Sequence, residues 1–265
     1  MKYRMLALLA IAATLALVQP AYAQDLSDVD EIVKRTNHAA YYQGKDGRAR
    51  VTMTITDAQG RTREREFTIL RLNTDGKDEA QKFYVYFRRP ADVREMVFMV
   101  HKHVGADDDR WLYLPALDVI KRIAASDERT SFVGSHFFYE DVSGRGIDED
   151  THELIKTTNN AYVLKNVPKN ASTAEFDSYT MYVHKTTFIP YLIEYEKGGT
   201  LYRTAKAEEV KDVQGYPTVV KASMADTNIG GSTVMEYSTV EYDVGLKEDL
   251  FTERFLRNAP REYLK

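Results

Sequence analysis

His101 and His103 stand two residues apart in a stretch that reads as a β-strand, so they share one of its faces. Asp107, Asp108 and Asp109 follow in a turn, and His136 lies further along. Imidazole with carboxylate is a metal-ligand set, which makes these residues the chain's candidates for metal chemistry. Their spacing matches no closed ligand motif, and an Asp-rich turn is ordinary turn chemistry, so no metal is expected. Glu140 and Asp141 are a carboxylate pair, but neighbours on an extended chain point apart, which suits acid–base cooperation poorly. Helix capping or pairing with Arg145 fits them better. Ser-x-x-Lys, Gly-x-Ser-x-Gly, His-Glu-x-x-His and the phosphate-binding glycine motifs are absent. With no Cys there is no thiol nucleophile and no disulfide framework. The expectation is a protein without catalytic residues or cofactor. A triad assembled across the chain is invisible to motif reading, so a hydrolase or metalloenzyme stays open as a third reading.

Arg61, Arg63 and Arg65 fall on one face of a predicted strand, with Glu64 and Glu66 on the other, and Arg71 extends the row. This reads as an edge strand protected by charge rather than as a surface for an acidic partner.

The elements that must position these residues are mostly strands. One helix comes first: Val29, Ile32, Val33, Thr36 and Ala40 recur at helical spacing, with Ser27 and Asp30 as its cap. Period two then takes over, with Ala49, Val51, Met53 and Ile55 alternating against Arg50, Thr52, Thr54 and Thr56. A turn at 57–60 leads into the run 61–72, giving a hairpin. Further strands are expected at 80–88, 95–103, 109–114, 118–124, 151–157, 160–167, 176–184, 191–197, 200–211, 217–226 and 232–243. A helix is expected over 248–257, with Leu250, Phe251, Phe255 and Leu256 near one side. So many short strands without a βαβ rhythm imply one large antiparallel sheet, curled or closed, in a single domain of mainly β (α+β) class. Residues 126–146 interrupt the pattern. They carry Phe132, Phe137, Phe138 and Tyr139 among Gly134, Gly144 and Gly146, too aromatic for a solvated loop. They read as a plug closing one barrel end or as a lid over a cavity.

At 265 residues the chain is long enough to bury a full core. Its formal charge of -4 argues against a nucleic-acid partner. Residues 1–23 read as a cleaved signal peptide: Lys2 and Arg4, an apolar run from Met5 to Val18, Pro20, then Ala21-Tyr22-Ala23. The apolar run is shorter than the roughly 20 residues of a membrane span. Gln24 follows rather than Cys, so the exported chain 24–265 should carry no acyl anchor, sit in the periplasm and touch membranes only peripherally. Removal of the leader leaves 34 of the 36 basic side chains against 40 acidic ones.

Trp111-Leu112-Tyr113-Leu114-Pro115, Lys121-Arg122-Ile123, Ser131-Phe132-Val133-Gly134-Ser135-His136-Phe137 and Tyr139-Glu140-Asp141 together resemble the LolA-like family of outer-membrane lipoprotein-sorting proteins, in the branch associated with RND (MMPL-like) exporters. Thr186 to Tyr191, Gly215-Tyr216-Pro217 and Leu250-Phe251-Thr252 extend the likeness over nearly the whole exported chain. The chain has His136 where the family usually has Asp. The resemblance implies an unclosed β-barrel, helices over its concave side and an apolar cavity for acyl chains. Its function would be carriage of lipid or acylated protein, with an inner-membrane RND-type exporter as partner; a lipid-sensing regulatory module is the alternative. Cavity candidates are Met53, Ile55, Phe67, Ile69, Phe83, Val85, Phe87, Met96, Phe98 and Val100. Trp111, Phe132, Phe137, Phe138 and Tyr139 are candidates for the mouth and lid, and release is expected through a lid that opens at small cost.

Overall fold

Inward and outward side chains alternate along strands that together make one sheet, with the core divided between its two faces. The structure, a computed structural model, describes residues 25–264 except 104, 125, 126 and 128; the expected signal peptide lies outside the described residues. Helix α1 (Val29–Asn37) leads through a π-helical turn (His38–Tyr42) into β1 (Asp46–Thr56). Then come β2 (Thr62–Asn73), β3 (Gln81–Arg89), β4 (Val97–Lys102), β5 (Asp109–Leu114) and β6 (Val119–Ile123). A connecting segment, the lid candidate and called the lid below, follows with the short helix α2 (Tyr139–Ser143). The second half holds β7 (Asp150–Thr157), β8 (Ala161–Pro168), β9 (Ser178–His184), β10 (Pro190–Lys197), β11 (Thr200–Val213), β12 (Tyr216–Asp226) and β13 (Ser232–Tyr242), before the short α3 (Glu253–Arg257).

The thirteen strands form one antiparallel sheet ordered β6-β5-β4-β3-β2-β1-β13-β12-β11-β10-β9-β8-β7. It is two meanders joined where β1 pairs with β13, Met53 opposite Met235. β6 and β7 are the two edges and do not pair with each other, so the barrel is unclosed, and the lid is the chain that connects them.

The inner face of β1–β4 presents Met53, Phe67, Val85 and Phe98 to the lid, while α1 packs Ile32 and Val33 onto Tyr162, Leu164 and Val183 of the second half. The outer face of β2–β5 is buried as well, because residues 244–264 fold back over Leu70, Tyr84, Val97 and Met99. Asp46 fixes that return: its carboxylate accepts from the backbone N–H groups of Val244 (2.7 Å), Gly245 (3.1 Å) and Leu246 (3.0 Å). Burial on both faces explains why 97–102 is nearly continuously buried rather than alternating.

Three local expectations are corrected. The α1 cap is Asp28, whose Oδ1 accepts from Asp30 N (3.0 Å) and Glu31 N (3.3 Å), one residue after the expected Ser27. The helix expected over 248–257 is a 3₁₀ turn (Glu248–Leu250) and then α3, because Phe251 leaves the helical region (ψ 52°) to bury its ring. The Arg row is not on an edge: β2 is internal, and Arg65 and Arg71 reach inward.

His101 lies on the outer face, its Nε2–H donating to the Phe251 carbonyl (2.8 Å) and its ring edge-on to Trp111. Burial holds its pKa below the ordinary 6.5, against the opposing pull of that hydrogen bond. The unfolded chain therefore binds more protons between the folded value and 6.5, so stability is full above 6.5 and declines as pH falls through that window. His101→Gln, which keeps a donor towards Phe251, should flatten this part of the urea-midpoint profile; an unchanged acid slope would locate the effect elsewhere.

Candidate functional site

The lid is held from within. Residues 131–138 form a small hairpin, with Ser131 bridged to Phe138 and Phe132 N–H donating to the Phe137 carbonyl (2.7 Å). Its turn directs the Phe132 ring into the aromatic group of Phe67, Phe87, Phe98 and Tyr139, with centroids 5.6 to 6.1 Å away. Such pairs contribute roughly 0.5–1.5 kcal/mol each beyond area burial. Gly144 ends α2 at φ +79°, where an added Cβ would lie 2.7 Å from Cζ of Tyr41. Glycine is required there both by conformation and by space.

Buried charges anchor the rest. Arg203, on β11, is 1% exposed. It binds the Asp141 carboxylate and the His136 carbonyl (3.2 Å), and its guanidinium stacks 3.8 Å over the Phe138 ring. Asp141 also caps α2, accepting from Phe138 N–H (2.6 Å). Arg145 joins Asp150 (3.0 Å), Glu149 (2.9 Å) and Glu140 (3.4 Å). Lys102 donates to the carbonyls of Ser143 (3.1 Å) and Gly144 (3.0 Å), and burial lowers its pKa. Arg65 donates to the Val133 carbonyl (3.2 Å). A segment tied by these groups does not open cheaply, because each buried cation would lose its partners. The expectation of a low-cost lid is corrected accordingly.

Two adjoining cavities lie beneath. The larger, about 300 Å³, runs between the lid, residues 39–43 and the inner faces of β1–β3 and β11–β13. Phe67, Ile69, Phe83, Phe132 and Phe137 line it. So do residues the sequence reading missed: Ala49, Ala205, Ala207, Ala222, Met235 and Tyr237. Small side chains at inward positions leave the space. At its β11–β13 side the cavity reaches Lys206, Val219 and Val240, which are exposed or half-buried. The smaller cavity, about 100 Å³, lies towards α1 and β8–β10. The two share Ala40, Tyr41, Asp141, Pro190 and Ile193.

The remaining candidates divide. Met53, Ile55, Val85, Phe87, Phe98 and Val100 are buried in the core under the lid with Tyr139, and Met96 packs against it; none of them lines either cavity. Phe138 is taken by Arg203. Trp111 stands on the outer face against the C-terminal segment, away from the lid, because alternation along β5 turns it with Tyr113 opposite to Leu112. The histidines do not converge: His101 faces outward, His103 pairs with Asp109 (3.0 Å) and His136 lies under the lid. Among the described residues no group of three His, Cys, Asp or Glu side chains is placed to hold a metal.

A protein-family model described as "Uncharacterized protein" matches residues 79–258. A crystal structure of a DUF1329 family protein from Desulfovibrio piger is similar with a TM-score of 0.79 and 25% identity, over 85% of this chain and 96% of that one. The chain belongs to the LolA-like DUF1329 family. A putative outer membrane lipoprotein-sorting protein domain from Vibrio parahaemolyticus matches at TM-score 0.77 and 28% identity, over 86% of this chain and 98% of that one. A LolA superfamily protein from Nitrosomonas europaea shares the fold at TM-score 0.66 and 17% identity, over 88% of this chain and all of that one (100%). No curated protein matches the chain closely enough to serve as a relative. Among the described residues of this LolA-like chain, no helix is long and apolar enough to cross a membrane.

His136, expected from the resemblance to be an Asp, is fitted to its place. Its Nε2 meets the Gly230 carbonyl (3.1 Å), so that nitrogen carries a proton, and Nδ1 shares a hydrogen bond with the Thr233 hydroxyl (2.8 Å). An ionised Asp has no donor for the Gly230 carbonyl. The imidazole ties the lid to the β12–β13 turn and to β13.

Proposed function

We propose that the chain is a periplasmic carrier that binds lipid or the acyl chains of a lipidated protein, and that its chemistry is binding rather than reaction. The observation that carries this reading is the cavity of about 300 Å³ between the lid and the inner sheet face, walled by Phe67, Ile69, Phe83, Phe132, Met235 and alanines. That volume is at the lower end of ordinary ligand pockets, about 300–1,000 Å³. Each methylene moved into it from water contributes about 0.8 kcal/mol, so even a short stretch of acyl chain supplies useful affinity. The likeness to a lipoprotein-sorting protein domain supports the same reading.

Exchange takes place on the β11–β13 side, where the cavity meets Lys206, Val219 and Val240, while the lid stays shut. An RND-type exporter in the inner membrane is the proposed donor or acceptor, reached after export directed by residues 1–23.

Native mass spectrometry of protein purified from a periplasm without detergent tests the reading. Co-purified phospholipid, acylated peptide or another apolar molecule is the expected result. A clean apo mass together with no uptake of an environment-sensitive apolar dye would overturn it.

A further inference from the structure

The smaller cavity differs in character from the larger one that it adjoins. Most of its polar walls are already satisfied, and Nη2 of Arg145, which has no hydrogen-bond partner, is itself buried away from the open space. His152 bonds Asn166 (2.7 Å) and the Ile147 carbonyl (2.7 Å), Thr36 donates to the Ile32 carbonyl (2.8 Å), and Tyr179 donates to Asp150 (2.8 Å). Asp141 and Glu140 are engaged by Arg203 and Arg145. The hydroxyls of Tyr41 and Tyr195 also line it, and neither makes a hydrogen bond to a described residue. Tyr41 stands at the junction, lining both cavities.

We infer that these two hydroxyls receive the uncharged carbonyl of an acyl ester or amide whose hydrocarbon occupies the larger cavity. The inference rests on the carrier reading and specifies its ligand. Both phenols are held protonated, chiefly by burial and then by the Asp141 carboxylate, with Glu140 adding to it and Arg203 opposing it only at Tyr195. They therefore face the cavity as donors. The same carboxylates make the position unfavourable for an acceptor that carries a full negative charge; the charges of both nearby arginines are paired with carboxylates, and their remaining N–H groups, Nη2 of Arg145 and Nε of Arg203, are buried. A fatty-acid carboxylate or a phosphate is thus rejected where an ester or amide oxygen is accepted, since a neutral carbonyl gains two hydrogen bonds without meeting that repulsion. The arrangement sorts amphiphiles by the charge at the first polar group after the chain.

Displacement of a bound apolar dye by three probes of equal chain length tests this: monooleoylglycerol, N-methyloleamide and oleate, at mildly alkaline pH where oleate is ionised. Both neutral probes should bind at least about tenfold more tightly than oleate, and the stronger of them identifies the ester or the amide as the natural linkage. Tyr41→Phe with Tyr195→Phe keeps both rings in place and should weaken the neutral probes by roughly tenfold relative to oleate measured on the same variant. Equal affinity for all three probes, or neutral binding indifferent to the double substitution, overturns the head-group assignment and leaves the carrier reading standing. Failure of the dye itself to bind overturns both.

Discussion

Arg203→Met should lower the unfolding free energy by about 3–5 kcal/mol, the usual cost of stranding one partner of a buried ion pair. Arg203 is 1% exposed and holds three parts of the lid at once: the Asp141 carboxylate, the His136 carbonyl and the Phe138 ring. Methionine fills similar length but leaves Asp141 with only the Phe138 N–H (2.6 Å) as partner. Adding Asp141→Asn removes the stranded charge and keeps an oxygen that can cap α2, so the double variant should recover more than half of the loss. Urea unfolding of the single and double variants reads the cycle, and limited proteolysis within 131–145 reads the lid alone. The single variant should be cut there faster at urea concentrations well below its midpoint. Additive losses in the double variant would mean that the pair does not hold the lid shut.

That arginine also shows where sequence reading stops. In the run Leu201-Tyr202-Arg203-Thr204, Arg203 looks like a surface residue on a strand with one wet face. What buries it is the lid, more than fifty residues earlier in the chain, and no local period records that. The thirteen strands were legible because alternation is local and turn residues punctuate it, and the unclosed, LolA-like architecture followed from motifs that run in order along the chain. That residues 126–146 pack on the sheet was legible for a related reason: Phe132, Phe137 and Tyr139 are too apolar for a segment that crosses solvent. The cavity was hidden because it is made by what is missing. Ala205 and Ala207 on β11 and Ala222 on β12 point inward where a larger residue would fill the space, and only the pairing of those strands, with Met235 on β13 beside them, brings the gaps together. Picking inward residues by size therefore favoured Phe87, Phe98 and Val85, which fill the core, over the alanines that leave room. Trp111 was misplaced for want of a face: both sides of β2–β5 are apolar, and the sequence does not show that residues 244–264 cover the second.

Ala222→Phe should abolish ligand uptake with little change in stability. Ala222 lies opposite Met235 on β13 and Ala207 on β11, so a ring there enters the cavity of about 300 Å³ rather than a packed core. Overpacking a filled core costs about 1–3 kcal/mol, whereas filling a void contributes about 0.5–2 kcal/mol. The variant should therefore unfold within about 1 kcal/mol of the parent, or above it, while the affinity for an apolar dye falls at least roughly tenfold, since each displaced methylene forfeits about 0.8 kcal/mol. Ala225→Phe, at the outward position on the same strand, controls for strand propensity and should bind dye normally. The pair separates the two demands on this fold. The aromatic cluster beneath the lid stabilises the barrel, whereas the alanine wall keeps part of it empty, and a carrier needs both. Undiminished dye binding by Ala222→Phe would place the ligand outside the cavity and remove the observation on which the carrier reading rests.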